Sequence, residues 1–103
     1  MAQGQETGPD PRRVTRRYRV GGRVQGVGFR YFVLRQAQVA GVTGWVRNLP
    51  SGEVEVTASG SPEHLATLEQ ALRRGPRFSD VTKVEISEIP DEGDDATDFE
   101  IVD

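Results

Sequence analysis

Residues 25–30 bring two glycines and an arginine together where a strand-like run gives way to a helical pattern. Gly26 and Gly28 let backbone N–H groups converge on one point, because no Cβ atom stands in the way. A helix start adds unpaired N–H donors and a partial positive charge, and Arg30 adds a planar, permanently charged fork. This combination suits an anion of the size of phosphate. The alternative is an ordinary strand-to-helix connection with Arg30 in solvent.

A second polar residue, Asn48, stands at the end of the next strand-like segment. Side chains alternate along a strand, so Arg47 points to one face of the sheet and Asn48 can face the glycine loop from the other. Asparagine is rare inside strands and common in turns, and its alternative role is a turn residue before Leu49 and Pro50. Together, the loop and Asn48 favour an anion site over a plain connection.

The elements that must position these residues follow from the hydrophobic pattern. Apolar positions at helical spacing run from Phe29 to Ala40, and Gly41 is a natural end. Val54, Val56 and Ala58 alternate with polar residues as in a half-buried strand. The predicted elements are a strand over 16–24, a helix over 29–40, a hairpin of strands over 42–48 and 53–58, a helix over 62–74, a strand over 81–89 and a short strand at Phe99 and Ile101.

The order β-α-β-β-α-β with a short added strand predicts an α+β fold. Two right-handed crossovers separated by a hairpin give the ferredoxin-like sandwich, in which one mostly antiparallel sheet carries two helices on one face. We expect residues 1–13 to be a flexible N-terminal tail, residues 14–103 to form the domain, and residues 90–96 to form an acidic loop. This fold hosts many unrelated functions and decides none of them.

Composition excludes several classes of function. The absence of cysteine excludes disulfide scaffolds, thiolate metal sites and cysteine-nucleophile phosphatases. With one histidine, His64, and no carboxylate pair, we expect neither a metal nor a cofactor. No apolar run approaches the roughly 20 residues of a membrane span, and the N-terminus lacks the apolar segment of a signal peptide. We therefore expect a cytoplasmic protein without membrane contact.

Charge is unevenly distributed along the chain. Eight of the 13 Lys and Arg residues fall within residues 12–35, and ten of the 16 acidic residues fall within residues 80–103. A basic first third is compatible with nucleic-acid binding, with a local anion site, or with a solvated face. Because the formal net charge of the whole chain is −3, we expect no nucleic-acid partner.

Two segments of the chain resemble the acylphosphatase family. The first family signature is an aliphatic residue, any residue, Gly, any residue, Val-Gln-Gly-Val, any residue, Phe or Met, and Arg, and residues 20–30 match it throughout. The second signature is carried by Gly44, Trp45, Val46, Arg47, Asn48, Gly52, Val54 and Gly60. The resemblance covers about residues 14–103, and the acidic loop is its loosest part within the domain.

The resemblance implies an enzyme that hydrolyses the carboxyl-phosphate anhydride of acyl phosphates to a carboxylate and inorganic phosphate. It assigns phosphoryl binding to Arg30 and positioning of the attacking water to Asn48. It also implies a phosphate cradle of backbone N–H groups, contributed by Gln25, Gly26, Val27, Gly28, Phe29 and Arg30. Inorganic phosphate is then a product or inhibitor, and the resemblance implies a monomer.

The chemistry of acyl phosphate hydrolysis agrees with the small number of functional groups in these two signatures. Neither signature offers a plausible covalent nucleophile or general base, so direct attack by water is the simplest path. A carboxylate leaving group has a conjugate-acid pKa of about 4, like a glutamate side chain, and needs no general acid. Positioning and charge stabilisation then supply most of the catalysis. We expect the proton of the water to pass to a phosphate oxygen of the substrate.

Two other functions compete with this interpretation. A non-catalytic regulatory or RNA-binding module on the same sandwich would carry exposed aromatic residues on its central strands, where this chain has Val, Glu and Thr. For Tyr31 and Trp45 we expect packing in the core or at a sheet edge. An acylphosphatase-like domain within a larger maturation enzyme is the second competitor, and the end of the chain at Asp103 argues against it.

Overall fold

A computed structural model describes residues 12–90 and 97–103. Most of the predicted tail and of the predicted acidic loop therefore lies outside the described residues. The elements are β1 (Val14–Arg23), α1 (Phe29–Ala40), β2 (Thr43–Asn48), β3 (Val54–Gly60), α2 (Pro62–Arg74), β4 (Asp80–Ile89) and β5 (Phe99–Ile101). Each predicted element is present, with ends that differ from the predicted ones by up to two residues.

The five strands form one sheet in the order β4-β1-β3-β2-β5. Every neighbouring pair is antiparallel except β2 and β5, which are parallel. Both helices pack on the same face of this sheet and against each other, so the predicted ferredoxin-like α+β sandwich is confirmed. Between Gly21 and Gly22 the pairing of β1 with β4 shifts register, as in a β-bulge.

The core lies between the sheet and the two helices. Tyr18, Val20, Val54 and Val56 face it from the central strands, and each of them is fully buried. The helices contribute their apolar stripes, which consist of Phe29, Val33, Ala37 and Ala40 from α1 and of Leu65, Leu68, Ala71 and Leu72 from α2. Burial of these faces supplies most of the driving force that holds both helices on the sheet.

Local signals set the ends of both helices. Ser61 is the N-cap of α2, where its hydroxyl oxygen accepts a hydrogen bond from the backbone N–H of His64 at 3.2 Å, and Pro62 follows it. Gly41 ends α1 in the left-handed conformation, with φ 79°. No side chain caps the N-terminus of α1, where Gly28 is the N-cap residue.

The strand register places the ends of β1 and β2 at one end of the sheet. Val54 of β3 stands opposite Val20 on one side and opposite Asn48 on the other. Val20 and Asn48 therefore lie at the same level along the strands and are separated by two strand spacings, about 9–10 Å, across the sheet. Residues opposite each other share a face of the sheet, so Asn48 points to the helix side, where α1 begins.

The outer face of the sheet carries paired charges. Glu55 is 5% exposed, and its carboxylate is 2.8 Å from Nε of Arg47 and 3.5 Å from Nε of Arg17. Trp45 is half-buried on this face beneath the guanidinium of Arg47, 5.3 Å from its ring centroid. The packing expected of Trp45 in the core or at a sheet edge is wrong, because Trp45 stands on the outer face of β2, which lies between β3 and β5.

Candidate active site

The connection from β1 to α1 has the backbone geometry of an anion-binding loop. Gly26 and Gly28 have φ angles of 76° and 78°, in the left-handed region that residues with a Cβ rarely adopt. A Cβ at either glycine would have no neighbour within 4 Å. The glycines are thus needed for their backbone conformation, and the space beside them stays open.

The backbone N–H groups of this loop have no hydrogen-bond acceptor within the described part of the chain. Among the described residues, no backbone carbonyl accepts a hydrogen bond from the N–H groups of residues 26–31, and that of Phe32 is the first to be bonded, to Gly28 at 3.0 Å. The loop therefore presents free donors at a helix N-terminus, where the helix dipole adds partial positive charge.

A pocket of about 210 Å³ opens in front of these donors. It is lined by Val24, Gly26, Gly28, Phe29, Arg30, Tyr31, Asn48 and Ile101. None of these lining residues carries a carboxylate, so Arg30 and the helix N-terminus leave the pocket wall positive. Pockets for drug-sized ligands measure about 300–1,000 Å³, which makes this one suitable for a small anionic molecule.

Arg30 lies in the first turn of α1 at the edge of the pocket. Its side chain is 37% exposed, and its acidic partner among the described residues is Asp103, with 3.9 Å from Nη1 to Oδ1. The Asp103 side chain is fully exposed. An exposed ion pair at that distance is weak and screened by salt, so the guanidinium remains available to an anion.

Asn48 enters the pocket from the end of β2. The residue is half-buried, and no group of the described residues forms a hydrogen bond with its side-chain amide. The amide offers one acceptor oxygen and two N–H donors. A free amide facing a positive pocket is able to hold a water molecule or a substrate oxygen.

The side chain of Gln25 fixes the loop to the β2–β3 hairpin. Its Nε2 donates hydrogen bonds to the backbone carbonyl oxygens of Leu49 at 2.8 Å and Glu53 at 2.9 Å. Both acceptors are carbonyls, so the orientation of the amide is determined. Both N–H donors are used in this way, and Gln25 acts by placing the loop beside Asn48.

Val27 and Phe29 pack their side chains against the core. Phe29 is 2% exposed, and its ring packs against that of Phe32 with centroids 6.0 Å apart. Val27 is half-buried and packs on the same core. Six loop residues were predicted for the cradle. Gly26, Gly28, Phe29 and Arg30 line the pocket, whereas Gln25 and Val27 do not belong to its lining.

The sequence did not point to two side chains that lie in the pocket. Tyr31 is 58% exposed and lines it, so the packing expected of Tyr31 is wrong. Ile101 is 40% exposed and reaches the pocket from β5, whose position depends on pairing with β2. The pocket position of Tyr31 could have been predicted from its place next to Arg30 in the sequence. No local sequence pattern predicts the pocket position of Ile101.

No helix among the described residues is both long enough and apolar enough to cross a membrane.

Comparison with known proteins agrees with this geometry. A sequence model of the acylphosphatase family matches residues 16–101. The chain is 49% identical over 85 residues to an acylphosphatase from Koribacter versatilis, covering 82% of this chain and 77% of that protein. It is also similar to the structure of an acylphosphatase from Coxiella burnetii, with a TM-score of 0.85 and 35% identity, covering 94% of this chain and all of that one.

A larger protein contains a similar fold. Full-length HypF, in a phosphate- and nucleotide-bound crystal structure, matches 94% of this chain with a TM-score of 0.80 and 25% identity, but over only 13% of its own length. The match to the family model covers every residue that lines the pocket. On the evidence of sequence, fold and pocket together, the chain belongs to the acylphosphatase family.

Proposed function

We propose that the chain hydrolyses acyl phosphates by direct attack of water on phosphorus, with Arg30 binding the phosphoryl group and Asn48 positioning the water. One observation carries the proposal: Arg30, Asn48 and the free N–H donors of residues 26–31 meet in one pocket of a chain of this family. The phosphoryl oxygens take the donors of the loop and the fork of Arg30.

The leaving group explains why so few groups suffice. The carboxylate released from an acyl phosphate has a conjugate-acid pKa of about 4, so it departs without protonation. Phosphoryl transfer of this kind passes through a loose transition state with charge on the equatorial oxygens. Donors that already point at those oxygens stabilise that charge without reorganisation.

Asn48 supplies the geometry of attack. Its amide oxygen accepts a hydrogen bond from water and turns a lone pair of the water toward phosphorus. Holding the water and the phosphoryl group in place contributes most of the remaining rate acceleration. The pocket lining contains no Ser, Thr, Cys, His, Asp or Glu. The proton of the water therefore passes to a phosphate oxygen of the substrate, and the proposal assigns no step to a metal ion or cofactor.

Hydrolysis of benzoyl phosphate tests these assignments. We expect Arg30→Ala to lose substrate binding and turnover together, because the phosphoryl group loses its cationic ligand. Asn48→Ala should keep most of the inhibition by inorganic phosphate while kcat falls by about 100-fold or more. Full activity in either variant would refute the corresponding role.

Arg23→Ala is the matched control. Arg23 is exposed at the same end of the sheet but does not line the pocket. Its removal deletes one positive charge and should change kcat/KM by no more than about threefold. A pH–rate profile that reveals an essential basic group of the free enzyme would contradict the proposed route of the proton.

We also propose that residues 14–103 are the functional domain of a monomeric, cytoplasmic enzyme with no nucleic-acid or membrane partner. The outer sheet face supports this view against an RNA-binding module, because β1 and β3 present Arg and Glu side chains on that face and their one aromatic residue, Tyr18, faces the core. Light scattering tests the monomeric state, and a stable dimer would refute it. Salt-dependent titration with mixed oligonucleotides tests the absence of a nucleic-acid partner, and specific binding would refute it.

A further inference from the structure

The pocket lining includes apolar side chains as well as the polar groups of Arg30 and Asn48. Val24 and Phe29 are only 1% and 2% exposed, so they offer the substrate little side-chain surface. Tyr31 and Ile101 are 58% and 40% exposed and line the same pocket as Arg30 and Asn48. They are the accessible apolar surface of that lining.

Two different elements hold these side chains in place. Arg35, one turn further along α1, stands over the Tyr31 ring with its guanidinium carbon 5.8 Å from the ring centroid, a favourable cation–π arrangement. Ile101 stands opposite Val46 in the parallel pairing of β5 with β2, and the N–H of Val102 donates to the carbonyl of Val46 at 2.9 Å. Ile101 thus reaches the pocket on the strand next to the one that carries Asn48.

We propose that Tyr31 and Ile101 form the acyl-binding surface of the site, and that this surface selects acyl phosphates whose acyl group is aromatic or bulky and apolar over those with a small acyl group. This rests on the proposed function. With the phosphoryl group held by Arg30 and the loop, the acyl group extends to the pocket's open side, where an aromatic ring stacks on Tyr31 and packs against Ile101. An acetyl group is too small to cover both.

The test compares kcat/KM for benzoyl phosphate and acetyl phosphate, which share the phosphoryl end and differ at the acyl end. We expect the intact chain to favour benzoyl phosphate. In Tyr31→Ala the ratio of the two values should fall by about three- to tenfold, the range of one lost aromatic pair. Ile101→Ala should lower the ratio by about two- to fourfold, and Tyr31→Phe, which keeps the ring, should hold it within about twofold.

Two further measurements separate acyl recognition from a general defect. Val39→Ala truncates an exposed apolar side chain on α1 outside the pocket, where Val39 is 79% exposed, and should leave the ratio unchanged. Inhibition by inorganic phosphate, which occupies only the phosphoryl end, should change less in Tyr31→Ala than benzoyl phosphate turnover does.

The outcomes distinguish this inference from the proposed function. A ratio that stays the same in Tyr31→Ala and Ile101→Ala, or an equal loss on both substrates, overturns acyl recognition while acylphosphatase activity stands. Failure of the intact chain to hydrolyse either substrate overturns both.

Discussion

The amide nitrogen of Gln25 lies 2.8 Å from the carbonyl oxygen of Leu49, and this hydrogen bond joins the two halves of the site. Gln25 opens the glycine loop, and Leu49 directly follows Asn48. The same nitrogen also binds the carbonyl of Glu53 at 2.9 Å, on the other arm of the hairpin. The distance between the phosphate donors and Asn48 is therefore set by a side chain that touches neither.

Gln25→Leu should uncouple the two halves of the site. The change keeps the size of the side chain but removes two hydrogen bonds, which we expect to lower the free energy of unfolding by about 1–3 kcal/mol. Each carbonyl oxygen keeps one backbone donor, since Leu49 accepts from the N–H of Gly52 and Glu53 accepts from the N–H of Leu49. Because a displacement of about 1 Å is enough to lose 100-fold in rate, kcat should fall by about 10- to 100-fold. Inhibition by inorganic phosphate should weaken less, since the loop donors remain.

Gln38→Leu, the same change at an exposed position of α1, is the control. A normal kcat in Gln25→Leu would contradict the positioning role.

Asp103→Asn should strengthen anion binding. The carboxylate of Asp103 competes with phosphate for Arg30 at 3.9 Å, but the pair is exposed and weak. We expect the concentration of inorganic phosphate that gives half-inhibition to fall by about two- to fivefold at low salt, with a smaller effect at high salt.

Glu100→Gln provides the matched control for Asp103→Asn. Glu100 pairs in register with Trp45, so its side chain lies on the outer face of the sheet, away from the pocket. It should leave phosphate inhibition unchanged. A loss of turnover in Asp103→Asn, with binding intact, would instead identify Asp103 as a proton acceptor and refute the proposed proton route.

Tyr18→Phe should weaken the attachment of α2 to the sheet. The Tyr18 hydroxyl donates to Oε2 of Glu69 at 2.8 Å, and Arg16 donates to the same oxygen at 2.9 Å. Loss of a hydrogen bond to a charged group should cost about 1–2 kcal/mol in thermal or urea unfolding. Tyr31→Phe, at an exposed tyrosine, should cost less than about 0.5 kcal/mol.

The hydrogen bond between Tyr18 and Glu69 also predicts that the stability of the chain depends on pH in the alkaline range. Burial, followed by the hydrogen bond to Glu69, raises the pKa of Tyr18 above its ordinary value of 10.0. A group with a raised pKa contributes stability below its unfolded value, and this stability is lost as the pH rises beyond it. The stability advantage of the wild-type chain over Tyr18→Phe should thus be constant at neutral pH and shrink above about pH 10. An advantage that grew with pH would contradict this account.

Glu53→Gln should reveal a contribution of ionised Glu53 to stability that is lost at acidic pH. The hydrogen bond from Ser51 at 3.0 Å, with Lys83 at 3.2 Å and Arg19 at 3.9 Å, lowers the pKa of Glu53 below its ordinary value of 4.5. A group with a lowered pKa contributes stability above its unfolded value and loses it as the pH falls. The Tm difference between wild type and Glu53→Gln should be greatest at neutral pH and disappear below about pH 4. Equal differences at pH 7 and pH 3 would contradict the assignment.

Much of the fold could be predicted because its signals are local. The stripe from Phe29 to Ala40 and the Ser61–Pro62 start of α2 depend on neighbours within a few residues, and both helices are present as predicted. The alternation of Val54, Val56 and Ala58 likewise identified the core face of β3. Ile86 pairs with Tyr18 and so lies on the core face of β4, yet it is 40% exposed because β4 is an edge strand.

The sequence by itself determined the backbone conformation of the candidate anion loop, because glycines at 26 and 28 before an arginine at the second position of α1 form a local pattern. Only the tertiary structure decided what faces that loop. Gln25 reaches the Leu49 carbonyl, Ile101 reaches the pocket and Asp103 reaches Arg30 through strand pairings between distant segments. Such contacts are fixed by sheet register, which depends on the packing of the whole core rather than on any short stretch of residues.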